Sequence, residues 1–371
     1  MEYALTYDDV LLIPAYNAYD SRGDEAINIG MVDKTGKLSL TLPIMSANMD
    51  TITESNMANF MGGKGGIGVM HRFMDIERNV VEYKRCQHPV FVSFGVGDHE
   101  FERVEALKQS GATYFCLDVA HAHARYVGKM LKRVREILTS SYCVMAGNVA
   151  TYAGADYLAS CGVDIIKCGI GSGSLCTTRI VAAHGVPSLT AIKECSRVNR
   201  SIVADGGIRT SGDIIKALAF GADYVMIGNM LSGTCPTPGD VVCNYCRQKH
   251  DSDNLMEDSQ FGYDGNYYGY TDNSYGYDHR YQPVKSFRGM ASKEVNEEKF
   301  GKMPSWKTAE GVATTVPYRE DEDEIIAKIT GGLRSGLTYS GSCDIKEMQR
   351  KLNYCMVTQA GRVESLPHKL L

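Results

Sequence analysis

Several things are scarce in this 371-residue sequence, and each scarcity closes off a class of function. No apolar run approaches the ~20 residues a membrane-spanning helix needs, so no membrane partner is expected. Neither charge is in large excess: 39 Lys and Arg stand against 44 Asp and Glu, a formal net charge of -5. Such a balance offers no general affinity for nucleic acid. The opening stretch MEYALTYDDVLLIPAY has no basic cluster ahead of an apolar one, so no secretory leader is expected and a cytoplasmic location is the working assumption. Cysteine itself is abundant, at twelve, but disulfide spacing is lacking. Cys116, Cys143, Cys161 and Cys168 sit inside or beside apolar runs, the pattern of buried free thiols in a reducing compartment.

What is present is repetition. Short apolar runs ending in small or functional residues recur as PIMSAN (43–48), GIGVMH (66–71), PVFVSFGV (89–96) and YFCLDV (114–119). They continue as YCVMAGNV (142–149), DIIKCGIG (164–171), SIVADGGI (201–208) and DYVMIGN (223–229). Near-continuous apolar runs suit strands buried on both faces of a parallel sheet. Between them lie helical patterns such as HEFERVEALKQSG, closed by Gly111, and TSGDIIKALAFGA, with Thr210 or Ser211 as N-cap. Alternating strand and helix predicts right-handed crossovers, and eight repeats predict one α/β domain over 1–371, a (β/α)8 TIM barrel. The reactive face of such a barrel lies at the C-terminal ends of its strands.

That face collects the chemistry. KCGIGSGSLCTTR (167–179) follows the sixth strand and brings Cys176 there, with Asp118 after strand four, Asn148 after strand five and ADGG (204–207) after strand seven. Glycines at 169, 171 and 173 leave backbone groups open to a ligand, either a phosphate or a monovalent cation, and Ser174 adds a hydroxyl. Asp205 can accept from two ribose hydroxyls, and the loops after strands seven and eight often share a phosphate site. A nucleoside monophosphate fits the set. Cys176 is then either a nucleophile toward an electrophilic ring carbon, acting as thiolate, or an inert loop thiol. Thr178, two residues on, can relay a proton given a partner carboxylate.

Other signals are weaker. Residues 261–281 hold seven tyrosines among Gly, Asp and Asn, a composition that cannot bury a compact core. The segment reads as a solvated insertion, or as a lid whose tyrosines stack on an aromatic ligand. CNYC (243–246), with His250, has metal-like spacing but no convincing fourth ligand, so free cysteines are the plainer account. His121 and His123 either face the site or are structural, and the acidic run REDEDE (319–324) suits the start of a helix.

The loop GIGSGSLCTTR (169–179) resembles the GIGPGS-hydrophobe-CTTR loop of the IMP dehydrogenase and GMP reductase family. The likeness extends to LTYDDVLLIPA (5–15), SANMDT (46–51), MAGNVAT (145–151), ADGGIRTSGD (204–213), FRGMAS (287–292) and GGLRSGLTYSG (331–341). It implies a cysteine that bonds to C2 of the purine on a TIM-type barrel. It also implies a potassium ion on the carbonyls of Gly171, Gly173 and Cys176, and a homotetramer. Dehydrogenases of the family usually carry a pair of CBS modules after the second strand; the run 71–96 leaves no room for them. They also need an Arg-Tyr pair in the flap to activate water, and none occurs between 290 and 311.

MASKEVNEEKFGKMPSWKTAEG (290–311) instead resembles the reductase flap, with Glu310 on the glutamate that pairs with the second threonine. LDVAHAHA (117–124) also looks like the reductase pattern. Several departures stand beside this: Ser172 replaces the loop proline, Lys307 replaces an arginine near the cofactor, and Phe287 stands where dehydrogenases have a tyrosine that touches phosphate, while SFRGM (286–290) and the N-terminal third look more like a dehydrogenase. The resemblance therefore implies a GMP reductase, turning GMP and NADPH into IMP, ammonia and NADP+, with Cys176, Thr178 and Glu310 catalytic. Ser46, Ser174, Asp205, Gly206, Gly207, Gly228, Asn229, Arg288, Gly289, Met290 and Ala291 would bind the nucleotide. Asp118, Val119, Ala120, Asn148 and Lys307 would bind the dinucleotide. The alternatives are an IMP dehydrogenase that oxidises IMP with NAD+, and a purine-nucleotide regulator without turnover. Residues 242–311 would form an insertion and flap within the barrel.

Overall fold

A computed structural model describes residues 3–243, 283–301, 303 and 305–366. Eight strands close into a barrel: β1 (Ile44–Ser46), β2 (Ile67–Met70), β3 (Val90–Phe94), β4 (Tyr114–Asp118), β5 (Cys143–Val149), β6 (Ile165–Cys168), β7 (Ser201–Asp205) and β8 (Tyr224–Ile227). Every neighbouring pair is parallel, and β8 returns to β1 with Met226 opposite Met45. The eight apolar runs of the sequence each supply one of these strands. Ile, Val, Met and Phe dominate them because both faces are covered, one by the barrel interior and one by helices.

Helices between and after the barrel strands include α1 (Ser55–Gly63), α2 (Ile76–Lys84), α3 (Asp98–Gln109), α4 (Arg125–Ile137), α5 (Tyr152–Ser160), α6 (Ser188–Cys195), α7 (Ser211–Ala219) and α8 (Glu322–Tyr339). α4 shows why they form. Val127, Met130, Leu131 and Val134 recur at helical spacing and are all buried, while Lys132 and Arg133 face water. Each of the four stabilises the fold by roughly 1.5–3 kcal/mol. Termini follow local chemistry: Thr210 Oγ1 accepts from Asp213 N at 3.2 Å to start α7, and Gly111 just beyond α3 takes φ +98. Glu322, Asp323 and Glu324 of the acidic run occupy the first turn of α8, where they favour the helix dipole.

Of the segment 242–311, residues 244–282 lie outside the described residues, and with them the tyrosine-rich run and all of CNYC except Cys243. Past residue 282 the chain forms a flap. β9 (Pro283–Arg288) pairs antiparallel with β10 (Ala313–Pro317), and the helix Lys293–Phe300 lies between them. Its base is pinned by Lys285, a buried ammonium donating to the carbonyls of Thr234 (3.2 Å), Cys235 (3.1 Å) and Thr237 (2.7 Å) in the segment beyond β8. Cys86, Cys116, Cys143, Cys161, Cys168, Cys176, Cys195, Cys235, Cys343 and Cys355 are free thiols, and burial pushes the Cys116 thiol up to about 12. No helix among them is long and apolar enough to cross a membrane.

Candidate active site

The C-terminal ends of the strands open into a cavity of about 890 Å³. Its floor is the cysteine loop. Gly169 takes φ +145, and a Cβ there would lie 1.9 Å from the Asp205 carbonyl oxygen. A Cβ on Gly206, at φ +102, would lie 2.6 Å from Ser172 Oγ. The glycines therefore let the loops after β6 and β7 touch backbone to backbone, which no larger residue permits.

Cys176 ends this loop, half-buried, beside the short helical turn Thr178–Val181. Its Sγ–H donates to Thr178 Oγ1 at 3.2 Å, and the Thr178 hydroxyl donates to Glu310 Oε2 at 2.8 Å. Glu310 arrives from the flap, 132 residues away in sequence. Backbone bonds fix the approach: Thr177 N–H donates to Glu310 O (2.9 Å), Val312 N–H to Leu175 O (3.0 Å), and Glu310 N–H to Ala291 O (3.0 Å). A thiol, a hydroxyl and a carboxylate thus form one chain along which a proton can pass.

Across the cavity, Asp118 from β4 and Asp205 from β7 share the ammonium of Lys167, at 2.9 and 3.0 Å. Burial opposes the Asp118 charge, but Lys167 and Arg72 hold its carboxyl below the ordinary value. Burial likewise opposes the charge on Lys167, and the two acids raise its pKa above that of a free lysine. Asn148 Nδ2 donates to Asp205 Oδ2 at 2.9 Å and to Gly169 O at 2.7 Å. Its Oδ1 is buried with no hydrogen-bond partner, an acceptor suited to an N–H donor such as a carboxamide.

Most sequence-predicted residues meet here. Ser174, Asp205, Gly206, Gly207, Gly228 and Asn229 line one side. The flap residues Gly289, Met290, Ala291, Lys307 and Glu310 line another, facing Asp118, Val119, Ala120 and Asn148. Gly171 and Gly173 line the floor with Cys176; Gly173 O accepts from Cys176 N–H at 3.1 Å. Two predicted residues lie outside the cavity lining. Ser46 is fully buried and its Oγ accepts from Thr53 Oγ1 at 2.9 Å. Arg288 is engaged by Asp50 and Glu298, both at 2.7 Å, and so ties the flap to the barrel rather than facing a ligand.

His121 and His123 are exposed; their rings pair with each other, and His123 with Tyr157, away from the lining. Sequence reasoning gave no role to Lys167, Arg72 or Tyr7, all of which line the cavity. For Lys167 a signal existed, as the one charged residue inside the apolar run IIKC. No cluster of acidic, His or Cys side chains among the described residues could hold a metal ion.

Residues 4–252 and 265–368 match the family model described as the IMP dehydrogenase / GMP reductase domain. The inosine-5'-monophosphate dehydrogenase of Cryptosporidium parvum is 32% identical over 414 residues, spanning 98% of this chain and 94% of that one. Two solved structures share the architecture. A Legionella pneumophila protein described as inosine 5' monophosphate dehydrogenase is 57% identical with a TM-score of 0.80, covering 97% of this chain and all of that one. A cysteine-to-alanine variant of the GMP reductase of Trypanosoma brucei, in complex with guanosine 5'-monophosphate, is 26% identical with a TM-score of 0.83, covering 100% and 99%.

Proposed function

This chain belongs to the IMP dehydrogenase / GMP reductase family, a family of purine-nucleotide oxidoreductases, and within it we propose that it is a GMP reductase. The reaction would convert GMP to IMP and ammonia, with NADPH as reductant. One observation carries this reading: Cys176 Sγ, Thr178 Oγ1 and Glu310 Oε2 form a continuous hydrogen-bonded relay. Expelling an amine requires a group that returns a proton to nitrogen, and a carboxylate behind a hydroxyl is equipped for that. The flap between 290 and 311 contains no arginine or tyrosine to recruit water in its place.

The residues divide the work. The thiol proton passes through Thr178 to Glu310, and the sulfur bonds to C2 of the purine. The dyad returns that proton to the exocyclic amine as the C2–N bond breaks, so ammonia departs and Cys176 is left as a thioimidate. When bound, a reduced nicotinamide dinucleotide would supply hydride to C2; Cys176 would then leave as thiolate, and one proton from solvent would restore the thiol. Asp205 would hold the ribose hydroxyls. Ser174 and the amides of Gly207 and Gly228 would hold the phosphate, with Gly206 and Asn229 completing those loops. Gly289, Met290 and Ala291 would cover the base. Asp118, Val119, Ala120 and Lys307 would flank the nicotinamide half, where the unpartnered Asn148 Oδ1 fits a carboxamide N–H. The carbonyls of Gly171, Gly173 and Cys176 would take a potassium ion, hard oxygen donors being the ligand class of such cations. A homotetramer is the assembly proposed, and the cytoplasm its compartment.

A second reading, IMP dehydrogenase without CBS modules, is favoured by the 57% identity to the Legionella pneumophila protein of that description. One paired assay separates the two. GMP with NADPH should lose the reduced-nicotinamide absorbance and release ammonia, while IMP with NAD+ should stay nearly silent. Rapid oxidation of IMP, with GMP inert, would overturn the reductase assignment.

A further inference from the structure

The relay leaves one buried charge without a task. Lys167 lies in β6 with its side chain 4% exposed, and its Nζ donates to Asp118 Oδ1 and Asp205 Oδ2. Asn148 donates to that same Asp205 oxygen. Four adjacent strands, β4 to β7, thereby converge on two carboxylates. A buried ammonium is costly, and an apolar residue of similar length would fill the space without that cost. Its retention between an acid on the nucleotide side and one on the dinucleotide side calls for a physical reason.

We propose that Lys167 is a positioning residue that locks the two carboxylates in place and offsets the repulsion between them. By occupying one oxygen of each, it leaves Asp205 Oδ1 to accept from a ribose. The inference rests on the assignment of Asp205 to the ribose under the reductase reading. Without the ammonium, two carboxylates would face one emptied point inside the barrel. The other groups bearing on them are Arg72 and Asn48 beside Asp118, Cys116 beside Lys167, and Asn148, Tyr7 and Cys168 beside Asp205. Arg72 is the one cation among these, and it acts on Asp118. The pair of acids then shares a proton that the ammonium had excluded, which weakens the carboxylate offered to the ribose hydroxyls.

The test measures nucleotide binding by calorimetry for the wild type and Lys167→Met, from mildly acidic to mildly alkaline pH. Taking the ratio of the two dissociation constants at each pH cancels the titration of the ligand phosphate. The ratio should climb toward about tenfold at the acid end, the value reached when the variant's pair of acids titrates about one unit above the assay pH, and fall toward unity as pH rises. In the Lys167→Met/Asp118→Asn chain the competing acid is gone, so the ratio should be small and flat. A pH-independent ratio, or one that Asp118→Asn does not relieve, overturns the lock and leaves Lys167 a packing residue. Should Lys167→Met fail to fold, recovery of a folded chain by the added Asp118→Asn supports the lock, and a double variant that also fails overturns it. Both GMP and IMP are titrated. Wild-type binding of IMP alone would sink the reductase assignment while the lock stands; binding of neither would sink both.

Discussion

Replacing Glu310 by glutamine removes a proton carrier while keeping nearly the same shape. In the folded protein Glu310 Oε2 accepts from Thr178 Oγ1 at 2.8 Å, and that hydroxyl accepts from Cys176 Sγ at 3.2 Å. A glutamine oxygen can still accept from Thr178, and the backbone bonds of residue 310 to Thr177 and Ala291 do not involve its side chain. The flap should therefore close as before. What disappears is a group that can take up the thiol proton and return it to nitrogen. General acid–base catalysis of this kind contributes ~10²–10⁴-fold, which corresponds to roughly 3–5 kcal/mol of barrier. At saturating GMP and NADPH, ammonia release by Glu310→Gln should fall by about that factor. The dissociation constant for GMP should stay within about threefold, because a group acting only at the reacting centre changes turnover rather than binding. Turnover within about threefold of wild type would refute the relay. A loss confined to binding would show that Glu310 is a structural strut.

The same geometry has other consequences. Gly169→Ala would place a methyl 1.9 Å from the Asp205 carbonyl oxygen at a φ of +145, and should lower stability by about 2–4 kcal/mol in urea unfolding; an unchanged midpoint would mean the two loops do not touch. Trp306 is the chain's one tryptophan, lies on the cavity rim and is 83% exposed. Its emission should shift to the blue when a nicotinamide dinucleotide is added with GMP, and an unmoved spectrum would place the dinucleotide elsewhere. Arg288→Gln breaks the pair with Asp50 that ties the flap to the barrel, and the pair with Glu298 that braces the flap internally. It should raise KM for GMP by several-fold with a smaller change in kcat, whereas unchanged kinetics would show that these pairs do not set flap position.

The barrel was legible because its signal is periodic and local. Eight apolar runs, helix caps such as Thr210 and a glycine stop at Gly111 each act within a few residues, and each appears where local chemistry puts it. The lining of the cavity was largely legible for a related reason, since strand ends define a face. Individual side-chain partners were not. Ser46 stands beside lining residues yet is consumed by Thr53, and Arg288 by Asp50 and Glu298. Lys167 and Cys168 differ only by strand parity: Lys167 turns into the barrel, while Cys168 turns outward to the thiol of Cys195 at the end of α6. Composition carries no such parity. The pairing of Thr178 with Glu310, across 132 residues, followed from resemblance rather than from pattern.

A covalent bond between Cys176 Sγ and the purine is the central prediction. Turnover of GMP with NADPH should be quenched in acid, digested and weighed by mass spectrometry. The peptide carrying Cys176 should gain the mass of the purine nucleotide less its exocyclic amine, and a Cys176→Ala protein should show no such gain while still binding GMP. An unmodified Cys176 peptide during active turnover, or full activity from the alanine variant, would contradict the account.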